Sequence, residues 1–385
     1  MPVQLCWSAQ CFINGAYYSR IPYLLSHDFS IIEAATDWFR ELATKCKLSG
    51  NTCGQYAYTL TAFFDYLDKQ KIEWHSVTDF ILERWRGYLT ENAPPVTNKT
   101  WNRSLGVVLA FFNWAQDHGH IRNHIGEGKN GVLPPICILI SKVRGRTIIT
   151  SKLGLRGSTQ FRPIPTDTEM EDAYAELSNI RPDLAARNVL LLRWAEAGLR
   201  RDEFRCMSIT DLPSHTQIAT AERENRLCTM DVIGKGNRKR NIVVDPELIL
   251  ATREYIEVER ADVVARAHNV VPEMAVFISH TRGLRLSGSF ISHLLSASFK
   301  NSDRFAKLTG HRARGRYLTK LCEAYIDEHM HVYGTLDGLH ADTILFRVAE
   351  QAGHRDIRSL RYYLRLGLRR AHQRLSHRPE RVVFG

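Results

Sequence analysis

Five short stretches of the sequence carry side chains that could act together on an anionic substrate. Arginine keeps its charge and can bond two phosphate oxygens at once. The tyrosine phenol can serve as a nucleophile and then as a leaving group. Together these residue types suit attack on a phosphodiester. In chain order, the side chains are Arg200 and Glu203 in AGLRRDE, Lys235 in VIGKGNRKR, His311 and Arg314 in HRAR, His354 in AGH, and Tyr363 in RYY.

Two spacings among these residues are informative. His311 and Arg314 are three residues apart, so on a helix their side chains share a face and can converge on one ligand. Tyr363 follows His354 by nine residues and comes directly after Tyr362. Each stretch alone is also typical of a solvated turn, or of a helix with core and surface neighbours. The prediction therefore depends on all of them occurring in one order.

A basic β-hairpin is predicted in the second stretch. Two β-prone runs in NRLCTMDVIGKGNRKRNIVV are joined by a Gly/Asn turn. A hairpin tip with several cations can enter a DNA groove and contact backbone phosphates, although a solvated turn is the alternative. Beside Lys235, the residues predicted to bind DNA are Arg238, Lys239 and Arg240.

The order of these motifs resembles the catalytic domain of the tyrosine recombinase (phage integrase) family. AGLRRDE resembles the first arginine box of that family, VIGKGNRKR its hairpin lysine motif, HRAR its HxxR box, and AGHRDIRSLRYY its segment from GH to the tyrosine. The resemblance covers Thr166 to about Gly367, and the helical first half is similar to the core-binding domain of the family. It implies double-stranded DNA with specific recombination sites as the substrate, and no cofactor.

The resemblance also implies a role for each side chain. Tyr363 would form a 3′-phosphotyrosyl link with DNA while Arg200 and Arg314 hold the scissile phosphate. Lys235 would protonate the leaving 5′ oxygen. His311 would act as a general acid/base near the tyrosine, and His354 would hydrogen-bond the phosphate. Glu203 would support Arg200 or His311.

Two features depart from the usual pattern of the family. The segment between Arg314 and His354 is longer than in familiar members, which suggests an insertion or extended helices around Glu328–Asp342. Many relatives carry Asn-Pro where this chain has NHIG, at 123–126. The HxH pair within DEHMH has no further convergent ligands in the sequence, so we predict no metal site there.

The elements that must position these groups are mainly helical. Apolar residues recur at helical spacing in segments 31–47, 54–70, 76–93 and 97–119, with Ser76 as the expected cap of the third helix. These segments predict a helical, SAM-like core-binding domain. A mixed α/β catalytic domain of the integrase fold, with a small antiparallel sheet, is expected to follow. Thr166 and Glu169 have the spacing of a capping box at its start. The predicted divisions are an N-terminal extension at 1–27, a core-DNA-binding domain at 28–125, a basic linker at 126–165, a catalytic domain at 166–370 and a basic tail at 371–385.

Composition supports a polyanionic partner. The chain of 385 residues has a formal net charge of +11, and nucleic acid is the commonest partner of such a protein. Eight cysteines are scattered without a CxxC pair, and no secretory signal or membrane span is recognisable, so we expect a cytoplasmic, DNA-associated protein without membrane contact. The resemblance further implies a homotetramer on DNA, with an accessory DNA-bending or directionality protein as a possible partner. The terminal VVFG could dock on a neighbouring protomer, or the tail could lie on DNA.

The sequence leaves three functions open. The first is a site-specific recombinase that acts as an integrase, a resolvase or a transposase of mobile DNA. The second is a type IB-like topoisomerase, which uses a similar set of residues without pairing sites. The third is a non-catalytic DNA-binding relative, against which the complete set of six residues argues.

Overall fold

The structure is a computed structural model of the whole chain, and it divides into two compact units. The units are Met1–Gln160 and Phe161–Gly385. The residues described are 2–18, 20–91, 94–128, 132–143, 145–157, 163–234, 238–267, 273–300, 308–354 and 356–376. No helix within these ranges is both long and apolar enough to cross a membrane.

Four helices form the centre of the first unit, as the sequence predicted. Their apolar faces meet in an aromatic core in which Phe63 contacts Trp85 edge-on and Trp85 contacts Trp101 in the same way. Burial of this many large rings stabilises the bundle strongly. The helices are α1 (Glu33–Thr44), α2 (Gly50–Lys69), α3 (Asp79–Glu91) and α4 (Asn98–Asp117).

The predicted cap of the third helix was wrong. Ser76 lies in a separate 3-10 turn, Trp74–Ser76, and α3 begins at Asp79. The hydroxyl of Thr78 accepts a hydrogen bond from the backbone N–H of Ile81, at 3.4 Å. Ser76 belongs to this separate turn, so the hydroxyl nearest the start of α3 is that of Thr78.

Short strands flank the bundle in the predicted N-terminal extension, 1–27, and in the predicted linker, 126–165. Within the predicted linker, Ile136 and Ile138 are buried in the bundle core. The Trp101 indole N–H also donates to the carbonyl of Leu153, at 2.9 Å. Part of the segment predicted as a linker therefore packs on α4. The strand pairs are β1 (Gln4–Trp7) with β4 (Pro22–Leu25), β2 (Cys11–Ile13) with β3 (Ala16–Tyr18), β5 (Ile125–Gly126) with β6 (Ile136–Cys137), and β7 (Leu139–Val143) with β8 (Arg146–Thr150); all are antiparallel except β5 with β6.

The second unit is mainly helical, with one β-hairpin, which confirms the predicted fold class. The hairpin pairs β9 (Cys228–Gly234) with β10 (Arg238–Val244) in antiparallel register. The helices are α5 (Asp167–Ile180), α6 (Ala185–Glu196), α7 (Arg201–Cys206), α8 (His215–Arg223), α9 (Pro246–Tyr255), α10 (Ala261–Ala267), α11 (Gly288–Ala297), α12 (Gly310–Tyr333), α13 (Ala341–Ala352) and α14 (Arg361–Ser376).

Helix α12 belongs to two hydrophobic clusters of this unit. Ala313, near its start, is buried with α6 and the hairpin, whereas Leu318 and Ile326 are buried with α13 and α14. The helix extends to Tyr333, so part of the long segment before His354 is an extension of α12. A single rigid helix thus joins the core beneath the hairpin to the core that holds the C-terminal helix.

Helix α5 begins with the capping box that the sequence predicted. The Thr166 hydroxyl accepts from the Glu169 N–H at 3.2 Å, and the Glu169 carboxylate accepts from the Thr166 N–H at 2.8 Å.

We expect Thr166→Ala to lower the free energy of unfolding by about 1 kcal/mol and to lower Tm by about 2–4 °C, as measured by calorimetry. Thr166→Ser keeps the acceptor and is the control. An unchanged Tm in Thr166→Ala would mean that the cap contributes nothing to stability.

Candidate active site

The candidate site begins just after α6, at Gly198. This residue has φ +90°, and an added Cβ would lie 2.5 Å from the Tyr317 ring, so only glycine fits. The chain then turns, and Arg200 directly precedes α7. Its N–H donates to Oε2 of Glu203 at 2.7 Å, which closes the first turn of α7. The turn therefore fixes the direction in which the Arg200 side chain leaves the backbone.

Glu203 is the buried centre of the site. Its carboxylate accepts from Arg200 Nη1 at 2.7 Å and from Arg240 Nη2 at 2.8 Å, and Arg314 Nη1 lies 3.7 Å away. Burial alone would raise the pKa of the Glu203 carboxyl. The hydrogen bonds and charges of Arg240 and Arg200 outweigh burial and hold that pKa below its usual range. Glu203 is thus ionised at neutral pH and organises three guanidinium groups.

The same three arginines satisfy the last carbonyls of α13. Arg240 Nη1 donates to the Gln351 carbonyl at 2.7 Å, Arg314 Nη2 to Ala352 at 2.7 Å, and Arg200 Nη2 to Gly353 at 2.9 Å. The last carbonyls of a helix lack partners within the helix and carry the negative end of its dipole. The C-terminus of α13 is therefore a second anchor for the cluster, in addition to Glu203.

Arg314 is almost wholly buried, with 1% of its surface exposed. It lies in the first turns of α12 and also donates to the carbonyl of Gly198. Burial, followed by the charge of Arg200, lowers the pKa of the Arg314 guanidinium to about 9. The group therefore stays charged at neutral pH. A buried cation held by carbonyls is ready to receive an anionic ligand without first losing water.

His354 follows α13 and lies among the same charges. Its Nδ1 is 3.0 Å from the Ser359 hydroxyl, which donates its one proton to the carbonyl of Asp356 at 2.7 Å. The hydroxyl must therefore accept from Nδ1–H, so that Nε2 of the neutral ring is an acceptor. Burial, followed by the charges of Arg314 and Arg200, lowers the pKa of His354 to about 4. Without a ligand, His354 is neutral at pH 7.

Tyr363 is buried in the first turn of α14, at the third position of that helix. Only 6% of its surface is exposed, whereas Tyr362 is half-buried and its ring stands edge-on to that of Tyr363. A Cβ added at Gly315 would lie 3.3 Å from the Tyr363 ring and 3.7 Å from its hydroxyl oxygen. Because Gly315 directly follows Arg314, the phenol of Tyr363 lies beside the backbone that carries Arg314.

His311 is exposed in the first turn of α12. It lines a cavity of about 400 Å³ together with Arg200, Phe204 and Leu295. The electrostatic influence of His311 also reaches His354. The structure therefore places four of the six predicted catalytic residues together, with His311 as a fifth at the rim; the four are Arg200, Arg314, His354 and Tyr363. Glu203, the predicted supporting residue, joins two of them.

The basic residues of the hairpin fall into different environments. Lys235 and the side chain of Arg238 lie outside the described residues. Lys239 is exposed and pairs with Asp231 at 2.7 Å, whereas Arg240 points inward to Glu203. The alternation of a strand could have revealed this difference, because Arg240 shares its face with the buried Ile242. Ser359 was also missed, since a lone serine in a basic segment gives no signal of its partner.

The HxH pair of α12 shows no sign of a metal site. His329 Nε2 lies 3.2 Å from the carbonyl of Asp337. Across the described ranges, no three His, Cys, Asp or Glu side chains are grouped as metal ligands would be.

Two family models match the chain. Residues 35–119 match the phage integrase N-terminal SAM-like domain, and residues 166–331 match the phage integrase family. The chain belongs to the phage integrase, or tyrosine recombinase, family. The second match ends before His354 and Tyr363 and therefore does not cover these two residues.

Individual relatives agree with this family. The chain is 21% identical over 355 residues to the tyrosine recombinase XerD of Rickettsia bellii (strain RML369-C), with 90% of this chain and 99% of the relative covered. The XerD of Rickettsia prowazekii (strain Madrid E) is also 21% identical, over 353 residues, with 90% and 97% covered. These relatives favour the prediction of a recombinase over that of a topoisomerase.

Solved structures share the fold. XerH recombinase bound to a palindromic difH substrate, in a post-cleavage complex, aligns with a TM-score of 0.57 at 16% identity, covering 89% of this chain and 84% of that one. The Tn1549 transposon integrase in complex with a circular intermediate DNA aligns with a TM-score of 0.53 at 15% identity, covering 89% and 98%. The fold prediction is thereby confirmed for both halves of the chain.

The low pKa of His354 makes stability depend on pH. The ring takes up a proton at about 4 when folded, against an ordinary value of 6.5, so unfolding binds a proton between these values. Stability contributed by the neutral ring is present above pH 6.5 and is lost as the pH falls towards 4. We expect the Tm of His354→Gln to fall less than that of the wild type between pH 7 and 5. His340→Gln, at an exposed histidine, is the control, and parallel curves for His354→Gln would contradict the assignment.

Proposed function

We propose that this protein is a site-specific recombinase that cleaves and rejoins double-stranded DNA through a covalent bond to Tyr363. The observation that carries the proposal is the meeting of Arg200 and Arg314 at one buried carboxylate, with His354 among their charges and the Tyr363 phenol beside Arg314. The electrostatic influence of the Tyr363 phenol reaches the Arg314 guanidinium. A phosphate at these guanidinium groups would therefore lie within reach of a nucleophile.

The proposed cleavage is a transfer of the phosphoryl group from one oxygen to another. The Tyr363 oxygen attacks the scissile phosphorus and loses its proton to His311, while the bond from phosphorus to the 5′ oxygen breaks. Lys235 gives a proton to that 5′ oxygen, which leaves as a hydroxyl. Attack by a 5′ hydroxyl on the 3′-phosphotyrosyl bond reverses the step. One phosphodiester is exchanged for another, so joining needs no further energy source.

Electrostatic stabilisation of the phosphorane is the proposed task of the arginines. Their three guanidinium charges, from Arg200, Arg240 and Arg314, surround the single charge of Glu203. The surplus of positive charge is set in place before DNA binds, and preorganised charge of this kind is the strongest contribution to many enzymes. His354 fits a linked role. An anionic phosphate would raise its low pKa, and the protonated Nε2 would then donate to a phosphate oxygen.

The finer assignments follow from the same function. We propose residues 28–125 as the core-DNA-binding domain and 166–370 as the catalytic domain, with hairpin residues Arg238 and Lys239 on the DNA backbone. The XerH recombinase is bound to a palindromic difH substrate and the Tn1549 integrase to a circular intermediate DNA, and we propose DNA with specific recombination sites as the partner here. A homotetramer on that DNA, an accessory bending or directionality protein, and a cytoplasmic location complete the proposal. The terminal VVFG lies outside the described residues.

A nicked suicide substrate that carries the natural site tests the nucleophile. Loss of a short fragment beyond the nick prevents religation, so the covalent adduct accumulates and is seen as a shifted band on a denaturing gel. We expect an adduct with the wild type and with Tyr362→Phe, and none with Tyr363→Phe, because the Tyr363 phenol lies beside the backbone that carries Arg314. The opposite pattern would assign the chemistry to Tyr362.

The first arginine can be tested separately for chemistry and binding. We expect Arg200→Ala to lower the cleavage rate by about 100-fold or more, the usual cost of removing one preorganised donor, while gel shifts still show specific binding. Arg201→Ala is the matched control, since the neighbouring Arg201 bonds Ser292 at 2.9 Å and pairs with Asp202 instead of Glu203. Loss of specific binding in Arg200→Ala would make Arg200 a DNA-docking or structural residue.

A further inference from the structure

Arg240 occupies an unexpected place for a residue of a basic hairpin. It stands opposite Val232 in the β9–β10 register, on the strand face that also buries Ile242 and Val244. Its side chain is 12% exposed, compared with 71% for Lys239, the next residue on the strand. A cation this deeply enclosed is a poor first contact for a DNA backbone, so its role must be sought among its protein partners.

The Arg240 guanidinium connects three elements. Nη2 and Nε approach the two Glu203 carboxylate oxygens at 2.8 and 3.4 Å, which is a forked arrangement, and Nη1 donates to the carbonyl of Gln351 at 2.7 Å. Glu203 belongs to α7 and Gln351 to α13. The side chain therefore joins the hairpin to the two elements that hold Arg200 and precede His354.

The GH motif makes room for this side chain. Gly353 has φ +61°, and a Cβ there would lie 2.5 Å from Arg240 Cδ and 3.1 Å from Nε. Any larger residue would push the Arg240 stem away from Glu203. Glycine is therefore required before His354 for two reasons: it ends α13 with a positive φ, and it leaves space for the Arg240 side chain.

We propose that Arg240 is a positioning residue for DNA cleavage, acting through Glu203 and the Gln351 carbonyl to hold Arg200 and Arg314 in place, without contacting DNA itself. The proposal rests on the recombinase function proposed above. It replaces the expectation, drawn from the sequence, that Arg240 binds the DNA backbone.

The charge balance of Glu203 explains how the effect would pass to the other arginines. Burial raises the pKa of the Glu203 carboxyl, and the hydrogen bond and charge of Arg240 are the leading contributions that oppose burial. Without Arg240, Glu203 loses one of its two close counter-charges. Its hydrogen bonds with Arg200 remain, but the forked contact from β10 no longer restrains the carboxylate that holds Arg200 and Arg314.

Single-turnover cleavage of the suicide substrate at saturating protein separates positioning from DNA contact. We expect Arg240→Ala to reduce the cleavage rate by about 10- to 100-fold, as misplacement of a catalytic group does, with site affinity within about threefold of the wild type. A DNA-contact role gives the reverse pattern: weaker binding, a smaller salt dependence and an unchanged rate at saturation. That pattern would overturn the proposal.

A double-mutant cycle tests whether Arg240 acts through Glu203. In a Glu203→Gln background we expect Arg240→Ala to slow cleavage by less than about threefold further, because residues that act as a unit are not additive. The trapped adduct accumulates over hours, so slow rates stay measurable. Fully additive losses would show that Arg240 works independently of Glu203 and would overturn the proposal.

Two further variants protect the test against simple misfolding. Arg240→Lys keeps the charge but cannot donate to the carboxylate and to Gln351 as a planar fork, so we expect a rate between those of Arg240→Ala and the wild type. Arg260→Ala removes another buried arginine, one that donates to the carbonyls of Glu273 and Ala275. We expect it to lower Tm without changing the cleavage rate of the folded protein.

Failure of the proposed recombinase function can be distinguished from failure of the proposed role of Arg240. If the wild type forms no adduct, the recombinase proposal fails before any variant is compared. The Arg240–Glu203 linkage can still be measured without DNA, as non-additive Tm shifts of the two single variants and the double variant. Additive Tm shifts would mean that the contact seen here does not couple the two residues.

Discussion

One buried carboxylate allows this site to exist. Arg240 and Arg314 reach it from β10 and α12, and Arg200 reaches it from the position directly before α7; their like charges would otherwise drive these elements apart. Leaving a buried charge without its partner is among the costliest changes a protein can suffer. Glu203 therefore does more than assist one arginine. It makes a concentrated positive field compatible with a folded core.

The nucleophile depends on packing more than on charge. Helix α14 lies along α12, and Tyr363 is buried among apolar side chains of α12 and α13. Two ion pairs, Arg370 with Glu323 and Arg374 with Asp327, also join α14 to α12. Both pairs are partly exposed, so each contributes little to stability. The hydrophobic contact between α12 and α14 thus sets the distance from the phenol to the buried Arg314.

The sequence predicted those parts of the molecule that local patterns encode. The HxxR spacing, the hairpin and the capping box at Thr166 depend on neighbours within a few residues, and the structure contains all three. The cap at Ser76 failed because Ser76 belongs to a separate 3-10 turn, which the spacing of apolar residues does not reveal. The strands at either end of the helical bundle were missed because they are very short and carry few buried residues.

The inward turn of Arg240 and the partner of His354 could not be predicted in the same way. A run of basic residues in a hairpin suggests solvent or DNA, and only the alternation of the strand separates Arg240 from Lys239. The hydrogen bond from His354 to Ser359 depends on the 3-10 turn between α13 and α14. Both are tertiary contacts, and no local pattern identifies the partner of either residue.

The end of α13 has a consequence for how the site comes apart. Its last carbonyls hold all three guanidinium groups, one each at Gln351, Ala352 and Gly353. Unwinding of this final turn would remove one anchor from three cations in a single event and would leave Glu203 as their shared partner. The last turn of α13 and the arginine cluster are therefore energetically coupled.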